Sequence, residues 1–258
     1  MVEELSFLNK DEVSFYKILE EKVLISNRRN SYEETDFLDP FWQKMLVSIV
    51  NKYDGVSVSF FGAFNNAERC IGVIYNDYLP EPIESDYMSV LAFDSKFDDI
   101  KHKDVLGKLM SMGIERETIG DIIFYKDACY FSVKNSVESF LLSQFQDIRR
   151  HSVTLYSVDG DGLQVVESEK TTEVIVAASL RADLLVAKIY NIKRNIATSM
   201  ISKGMMKLDY RVFTRGDKQI ELPALISLRG YGRVYVDEVV GRTGSDNLKV
   251  KLRREVYS

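Results

Sequence analysis

Two stretches near the start of the chain place apolar side chains at helical spacing. The first covers residues 12–29 and follows a capping residue, Asn9 or Asp11. The second begins at Pro40, whose fixed φ suits a first helical position, and Asp39 can cap it. The pattern therefore predicts two helices in this part of the chain.

The apolar spacing then changes from that of helices to that of strands. Residues 56–64 and 69–77 are rich in valine, isoleucine and aromatic side chains, and a four-residue polar segment joins them. Such a pair predicts a β-hairpin. We expect an N-terminal α+β domain of residues 1–79, which ends at the linker "LPEPIES" (79–85) with its two prolines.

The middle of the chain alternates strand and helix patterns. The order is strand, helix, strand, strand, helix, strand, which is that of a ferredoxin-like fold, also used by RNA-recognition modules. We therefore predict a central ferredoxin-like domain, residues 80–170, as a further RNA-binding candidate. Tyr130 and Phe131 follow one another on the third strand and point to opposite faces, so at most one could stack on a base. This favours a structural or docking role over base stacking. In chain order, the predicted strands and helices of this domain cover residues 87–93, 103–114, 121–125, 129–133, 137–148 and 152–158.

The last third of the chain, predicted as a domain of residues 171–258, begins with two helical patterns, 179–191 and 193–204. The second ends at Gly204, a residue type typical of the position after a helix. Its polar side carries side chains that can donate to phosphate and 2′-hydroxyl oxygens, namely Arg194, Asn195, Thr198, Ser199 and Ser202.

The run "ALISLRGYGRVYV" (224–236) alternates apolar and polar positions and is predicted as a strand. If it stays extended, two arginines flank a tyrosine on one face; that face carries Arg229, Tyr231, Arg233 and Tyr235. Gly230 and Gly232 would let the strand bend or let another backbone approach. A solvated strand face near a bulge is the alternative. The polar helix and this strand together favour nucleic acid.

The charge is distributed unevenly along the 258 residues. The whole chain has a net charge of −5, yet residues 181–258 carry 16 Lys and Arg against 8 Asp and Glu, a net of +8. The preceding residues net −13. A basic segment on an acidic body indicates a localised site for a polyanion, although an uneven surface charge without a partner remains an alternative.

Composition argues against several other classes of protein. The N-terminus lacks the basic and apolar pattern of a secretory signal, and no apolar run approaches the ~20 residues of a membrane span. We therefore expect a cytoplasmic protein without membrane contact. Cys70 and Cys129 stand far apart, which supports neither a zinc site nor a disulfide framework. The segment "DGDG" (159–162) indicates a hairpin turn rather than a calcium loop, so no metal and no cofactor are expected.

The C-terminal segment resembles the S-four RNA-binding domain, which is named after small-subunit ribosomal protein four. The resemblance rests on "LRADLLVAKIYNIKRNIATSMISKGMMKLDYR" (180–211) followed by "ISLRGYGRVYV". In that family an Arg-x-Leu-Asp opening, a basic and polar second helix and a closing Arg-Gly-x-Gly strand form an RNA-binding surface. Arg181 and Asp183 match the opening, and Ala182 stands where leucine is usual. The predicted RNA contacts are Arg181, Lys193, Arg194, Asn195, Thr198, Ser199, Lys203, Lys207, Arg229, Tyr231 and Arg233.

Three upstream stretches, "TDFLDPFWQKML", "VSFFGAFNNAER" and "LMSMGIERETIGDI", resemble the YlmH family, so the resemblance covers almost the whole chain. It implies a bacterial, cytoplasmic, non-enzymatic protein whose gene is associated with cell-division clusters. It also implies ribosome-associated quality control, with binding to rRNA of the large ribosomal subunit and to tRNA or peptidyl-tRNA while a nascent chain is extended or rescued. We expect a monomer.

Two other functions remain open at this point. S-four-like domains also occur in RNA-modifying enzymes, but their catalytic and nucleotide motifs are absent, and neither His102 nor His151 has a readable partner, so no catalytic residue is predicted. The third possibility is a division-linked scaffold whose acidic body binds another protein. Secondary RNA contacts are predicted at Arg116, Arg149 and Arg150; for the last two, capping of a helix end is the alternative.

Overall fold

A computed structural model describes residues 8–95, 99–158 and 170–255 of the chain, except the side chains of Lys170 and Glu255. The turn predicted at 159–162 lies outside the described residues. None of the described helices combines the length and the apolar content that crossing a bilayer needs.

The chain divides into two compact units, residues 1–165 and 166–258. Helices and antiparallel sheets make up both units, which confirms the predicted α+β class. The finer division after residues 79 and 170 stays a prediction. The first unit contains, in chain order, α1 (Lys10–Arg29), β1 (Glu33–Leu38), α2 (Pro40–Val50), β2 (Val56–Phe61), β3 (Cys70–Asn76), β4 (Met88–Asp94), α3 (His102–Ser111), β5 (Ile119–Tyr125), β6 (Ala128–Lys134), α4 (Asn135–Gln144), β7 (Asp147–Ile148), β8 (His151–Ser152) and β9 (Tyr156–Val158).

The two N-terminal helices begin where their capping residues predicted. The side chain of Asn9 accepts a hydrogen bond from the backbone N–H of Glu12, and the Glu12 carboxylate accepts one from the backbone N–H of Asn9, each at 2.9 Å. At the start of α2, Asp39 accepts from the backbone N–H of Trp42 at 3.1 Å. These bonds satisfy N–H groups that a helix start otherwise leaves without a partner. The predicted hairpin is also confirmed, since β2 pairs with β3 in a sheet of order β1-β3-β2.

The middle of the first unit has the predicted β-α-β-β-α-β order. Its four-stranded sheet has the order β5-β6-β4-β9 with every pair antiparallel, so the third strand in sequence lies between the first and the second. This is the split arrangement of a ferredoxin-like fold. Helices α3 and α4 cover one face, where Phe131 is fully buried among apolar side chains such as Leu109 and Leu141.

The opposite face of this sheet is covered by the N-terminal three-stranded sheet. Phe37, Ile71 and Val73 of the N-terminal sheet form one buried cluster with Val90, and Tyr130 packs against that cluster. Of the two rings of which at most one was expected to stack on a base, Phe131 is buried under the helices and Tyr130 packs against the N-terminal sheet. This agrees with the structural or docking role that the sequence favoured.

Arg69 ties the two sheets together through backbone carbonyl groups. Its Nη2 donates to the carbonyl oxygen of Phe37 at 2.7 Å, and its Nε donates to that of Ile119 at 3.0 Å. The backbone N–H groups of Glu68 and Arg69 donate to Oδ2 of Asp121 at 2.7 and 3.2 Å. Burial raises the pKa of Asp121 above its usual value, and the two backbone hydrogen bonds offset only part of that effect.

The second unit consists of two helices on one face of a six-stranded antiparallel sheet. The order of the sheet is β10-β15-β14-β13-β11-β12. The inward side chains of the sheet, among them Met206, Ile226 and Val250, are buried with Leu185 of α5 and Ile201 of α6. Its elements are β10 (Lys170–Ala177), α5 (Ala182–Ile189), α6 (Arg194–Ser202), β11 (Met206–Leu208), β12 (Arg211–Phe213), β13 (Ala224–Leu228), β14 (Gly232–Arg242) and β15 (Leu248–Glu255).

The prediction of one continuous strand over residues 224–236 is wrong. The chain reverses direction after Leu228, which pairs with Gly232 across an antiparallel hairpin. Gly230 and Gly232 have φ of +85° and +91°, in the left-handed region that glycine adopts without a Cβ penalty. Arg229 and Tyr231 therefore lie in a turn, and of the four side chains predicted to share a strand face, Arg233 and Tyr235 remain together on β14.

Candidate nucleic-acid interface

Asp183, on the first turn of α5, organises two of the predicted contact residues. It is 4% exposed. The Arg181 guanidinium donates to both of its carboxylate oxygens, at 3.1 and 3.0 Å. Nε and Nη2 of Arg194, at the start of α6, both donate to Oδ2 at 2.9 and 2.7 Å. One buried carboxylate thus fixes two guanidinium groups side by side, while their side chains stay 38% and 53% exposed.

The electrostatics of this group favour the charged form of Asp183. Burial alone would raise the pKa of its carboxyl, but the hydrogen bonds and positive charges of Arg181 and Arg194 outweigh burial and lower that pKa. The three side chains together carry a net charge of +1, and Asp217 is a further negative charge near Arg181. The group can present guanidinium N–H donors to a phosphate oxygen.

The solvent side of α6 carries the polar residues that the sequence predicted. Lys193, Asn195, Ser199 and Lys203 are exposed, whereas Ala197 and Ile201 are buried against the sheet. Gly204 follows the helix with φ of +70°, as predicted for the residue after its end.

The hydroxyl of Thr198 is partly engaged within its own helix. It donates to the backbone carbonyl of Arg194 at 2.9 Å. The Oγ1 lone pairs that this bond leaves can still accept from a partner such as a 2′-hydroxyl.

The turn between β13 and β14 adjoins the ends of both helices. The backbone N–H of Arg229 donates to the carbonyl of Met205 at 2.9 Å, just beyond α6. The Tyr231 ring, 47% exposed, meets the Tyr190 ring edge-on with centroids 5.7 Å apart. Tyr190 follows α5, and its hydroxyl donates to the carbonyl of Gly232 at 3.1 Å. We call the resulting set the helix surface; it consists of Arg181, Lys193, Arg194, Asn195, Thr198, Ser199, Lys203, Arg229 and Tyr231.

The structure does not bring Lys207 and Arg233 onto the helix surface. Met206 and Val234 point inward to the core, so their neighbours Lys207 and Arg233 point to the opposite face of the sheet. Ser227 stands between them in the register, paired with Lys207 on one side and Arg233 on the other. The eleven predicted contacts therefore lie on two surfaces of the second unit.

The secondary contacts predicted in the first unit are each held by neighbouring groups. Arg116 lies in a short 3-10 helix, and its Nη1 donates to the carbonyl of Ile119 at 2.5 Å. Arg149 and Arg150 form the turn between β7 and β8, so their predicted place at a helix end is wrong. A nitrogen of each lies 3.4 Å from a carboxylate oxygen of Asp104 or Asp99, respectively. Arg150 has the most exposed of these side chains, at 80%.

His151 has a carboxylate partner that the sequence did not reveal. Its Nε2 lies 2.9 Å from Oδ1 of Asp99. Burial acts to raise the pKa of Asp99, but the hydrogen bond from His151 and the nearby charges of Arg150 and Arg149 lower it overall. Over the described ranges, no three His, Cys, Asp or Glu side chains come close enough together to hold a metal ion.

Two residues that support the helix surface were not among the predicted contacts: Asp183 was noted only as part of the motif that opens the domain, and Tyr190 was not singled out. A carboxylate within the apolar stretch "ADLLVAKI" is an indication, since a buried charge needs a paired cation. The part played by Tyr190 depends on the β13–β14 turn, about 40 residues away in sequence. No local pattern indicates such a contact.

Comparison of the amino-acid sequence with known proteins gave a family model and a relative that spans nearly the full chain. Residues 82–161 match the family model described as "Putative RNA-binding domain in YlmH". The chain is 27% identical over 250 residues to "Ribosome-associated protein quality control protein P2" of Bacillus subtilis (strain 168), a match that covers 95% of this chain and 96% of that protein.

A solved structure shares the fold. It is that of "Cell division protein ylmH from Streptococcus pneumoniae", 22% identical, with a TM-score of 0.53 over 62% of this chain and 98% of that one. The family model on the central part of the chain, the relative that spans nearly its full length and this common fold agree with one another, and together they support the resemblance of this chain to the YlmH family.

Proposed function

We propose that the protein is a cytoplasmic RNA-binding protein of translation, which binds rRNA of the large ribosomal subunit and tRNA or peptidyl-tRNA in ribosome-associated quality control. The names of the relatives support the assignment to RNA and to quality control. The observation in the structure that carries the proposal is the pair of guanidinium groups fixed on Asp183. Such preorganised cations bind phosphate without first losing side-chain freedom.

The helix surface has the chemistry of a structured-RNA site. Cations at both ends of α6, from Arg194 to Lys203, can follow a phosphate backbone, while the hydroxyl and amide side chains between them can bond to 2′-hydroxyl groups. Tyr231, exposed beside this surface, offers a ring on which a base can stack. In this proposal the protein acts by binding, as a monomer, without catalysis or cofactor.

Cosedimentation with purified 50S and 30S subunits, free and carrying peptidyl-tRNA, tests the proposal. The wild-type protein is expected to bind 50S subunits, and peptidyl-tRNA should strengthen that binding. Arg181→Gln/Arg194→Gln should abolish it at physiological salt. Arg28→Ala/Arg29→Ala, which removes two exposed arginines from the end of α1, is the matched control and should bind like wild type.

Two results would contradict the proposal. One is binding to neither subunit by a folded wild-type protein. The other is equal binding by the Arg181→Gln/Arg194→Gln variant and the Arg28→Ala/Arg29→Ala control. In either case, a complex recovered from cells that survives RNase would favour the division-linked scaffold.

A further inference from the structure

The face of the six-stranded sheet that points away from α5 and α6 carries cations and aromatic rings in ordered rows. We call it the outer sheet face and define it by the side chains Lys207, Tyr210, Arg233, Tyr235, Lys249, Lys251 and Arg253. We infer that it is a second RNA site, for a single-stranded segment, separate from the helix surface. The inference rests on the proposed RNA-binding function and adds a surface to it.

The first row combines charge with a ring. Lys207 of β11, Ser227 of β13 and Arg233 of β14 stand opposite one another in the register. Neighbouring strands lie about 4.8 Å apart, which separates the Lys207 and Arg233 backbones by roughly 10 Å. The Arg233 guanidinium lies 6.0 Å from the centre of the Tyr210 ring.

The second row lies two residues further along the strands. Tyr235 of β14 stands between Leu225 of β13 and Arg253 of β15. The Arg253 guanidinium lies 5.3 Å from the centre of the Tyr235 ring, and Asp237 holds it through two hydrogen bonds of 2.7 Å.

Both tyrosines line one shallow pocket of about 230 Å³. Leu225 and Pro223 contribute apolar walls, and Arg253 contributes charge at the margin. A lining of apolar and aromatic side chains beside guanidinium groups suits a nucleobase, since every base has a face that stacks on a ring and cation–π contacts add to it. A base inside a duplex cannot reach such a pocket, whereas an unpaired base can.

The charge of this face fits a polyanion. Among the described side chains it carries five cations, and Asp209, Asp237 and Glu238 are carboxylates beside them, so these eight groups sum to a charge of +2. Two of the carboxylates are occupied by Arg253 and Lys251. Lys207 and Arg233 extend the positive charge from the pocket along the first row, in the direction that the backbone of a bound strand would follow.

Fluorescence anisotropy of the full chain with a fluorescein-labelled ten-nucleotide oligouridine tests the inference. Tyr210→Leu/Tyr235→Leu keeps apolar cover but removes the rings, and it should weaken binding about fivefold or more. Tyr210→Phe/Tyr235→Phe keeps both rings and should bind within about twofold of wild type. In Lys207→Gln/Arg233→Gln the salt dependence of log K should fall by roughly 0.7 per lost contact.

Several results would overturn the inference. One is failure of the wild-type protein to bind the oligouridine, and another is equal binding by the wild type and the leucine variant. A third is equal affinity of the wild type for a hexaglutamate peptide, because that result would indicate a site for acidic proteins. Cross-linking of a 4-thiouridine oligonucleotide to the wild-type protein decides the matter if the leucine variant does not fold. Cross-links are expected near Tyr210 and Tyr235, and cross-links confined to the helix surface would also overturn it.

The same variants separate this inference from the proposed function. If Tyr210→Leu/Tyr235→Leu cosediments with 50S subunits and still binds the oligouridine like wild type, the outer sheet face fails while the proposed function stands. If the wild-type protein binds the oligouridine through the two tyrosines but does not bind 50S subunits, the ribosomal function fails and the single-strand site stands.

Discussion

Oδ2 of Asp183 accepts hydrogen bonds from both Nε and Nη2 of Arg194, at 2.9 and 2.7 Å. This contact joins the first turn of α5 to the start of α6, and it sets the direction of a guanidinium group that solvent alone would leave mobile. The carboxylate therefore contributes both to the packing of the unit and to its charged surface.

The first prediction concerns Asp183→Asn. The amide keeps the size of the side chain but removes the charge that holds two arginines, so we expect the free energy of unfolding to fall by about 2 kcal/mol. Urea unfolding measures this loss. Asp246→Asn is the control, because its ion pair with Arg242 is exposed, and it should change stability by less than about 0.5 kcal/mol. Equal losses in the two variants would contradict the structural role of Asp183.

The second prediction follows from the lowered pKa of Asp183. A carboxyl whose pKa is lower in the folded than in the unfolded state stabilises the fold above its unfolded pKa, near 3.8, and loses that contribution as pH falls through the folded pKa. The difference in unfolding free energy between wild type and Asp183→Asn should therefore be full at pH 7 and shrink below about pH 4. A difference that stays constant down to pH 2 would contradict this account.

The third prediction concerns Asp121, whose negative charge should lower the stability of the fold, whereas that of Asp183 raises it. The raised pKa of Asp121 means that the charged form costs stability once pH rises above the unfolded value of 3.8. In Asp121→Asn one oxygen can still accept from the N–H groups of Glu68 and Arg69. The variant should be at least as stable as wild type at pH 7, and any advantage should vanish below about pH 4. A marked loss at pH 7 would show that the carboxylate charge itself is needed.

Part of this structure could be predicted from sequence because it depends on local chemistry. The caps at Asn9 and Asp39, the glycine after α6 and the β-α-β-β-α-β order all follow from residues close together in the chain. The prediction of a continuous strand over 224–236 was wrong because it extended the alternation of apolar and polar residues through two glycines, where positive φ values accompany a reversal of the chain. The turn, rather than the alternation, decides which side chains share a face.

The candidate site was predictable to a smaller extent. The polar side of α6 follows from helical periodicity, so its residues were found. That Lys207 and Arg233 point away from α6 depends on the register of three strands. The packing of the N-terminal sheet over Tyr130 is also a contact between distant segments, and single-sequence patterns do not encode it.

The fourth prediction tests the turn that the alternation missed. Gly230→Ala places a Cβ at φ of +85° with no neighbouring atom in the way, so the cost is backbone strain of about 1 kcal/mol. Gly107→Ala lies within α3, also in open space, and should stabilise by up to about 1 kcal/mol because alanine favours a helix. Opposite shifts in thermal unfolding are expected. A neutral Gly230→Ala would argue against the turn.

The fifth prediction concerns Tyr231 on the helix surface. If a base stacks on its exposed ring, Tyr231→Ala should weaken RNA binding by about 1–3 kcal/mol. Tyr231→Phe keeps the ring and its edge-on contact with Tyr190, so its affinity should stay close to wild type. Titration of 50S subunits with each variant measures the difference. Similar losses in both would assign the effect to the hydroxyl group instead.

The packing of the N-terminal sheet over Tyr130 has a consequence for how the first unit can bind a partner. The broad sheet face that comparable folds leave open to solvent is here packed against a second sheet. In the described part of the unit, the borders of that face remain accessible. Among these are the unpaired outer edges of β5 and β9 and the arginine turn after β7. A partner of this unit would therefore bind along these borders. Substitutions at Arg149 or Arg150 would change such a contact without disturbing the packing between the two sheets.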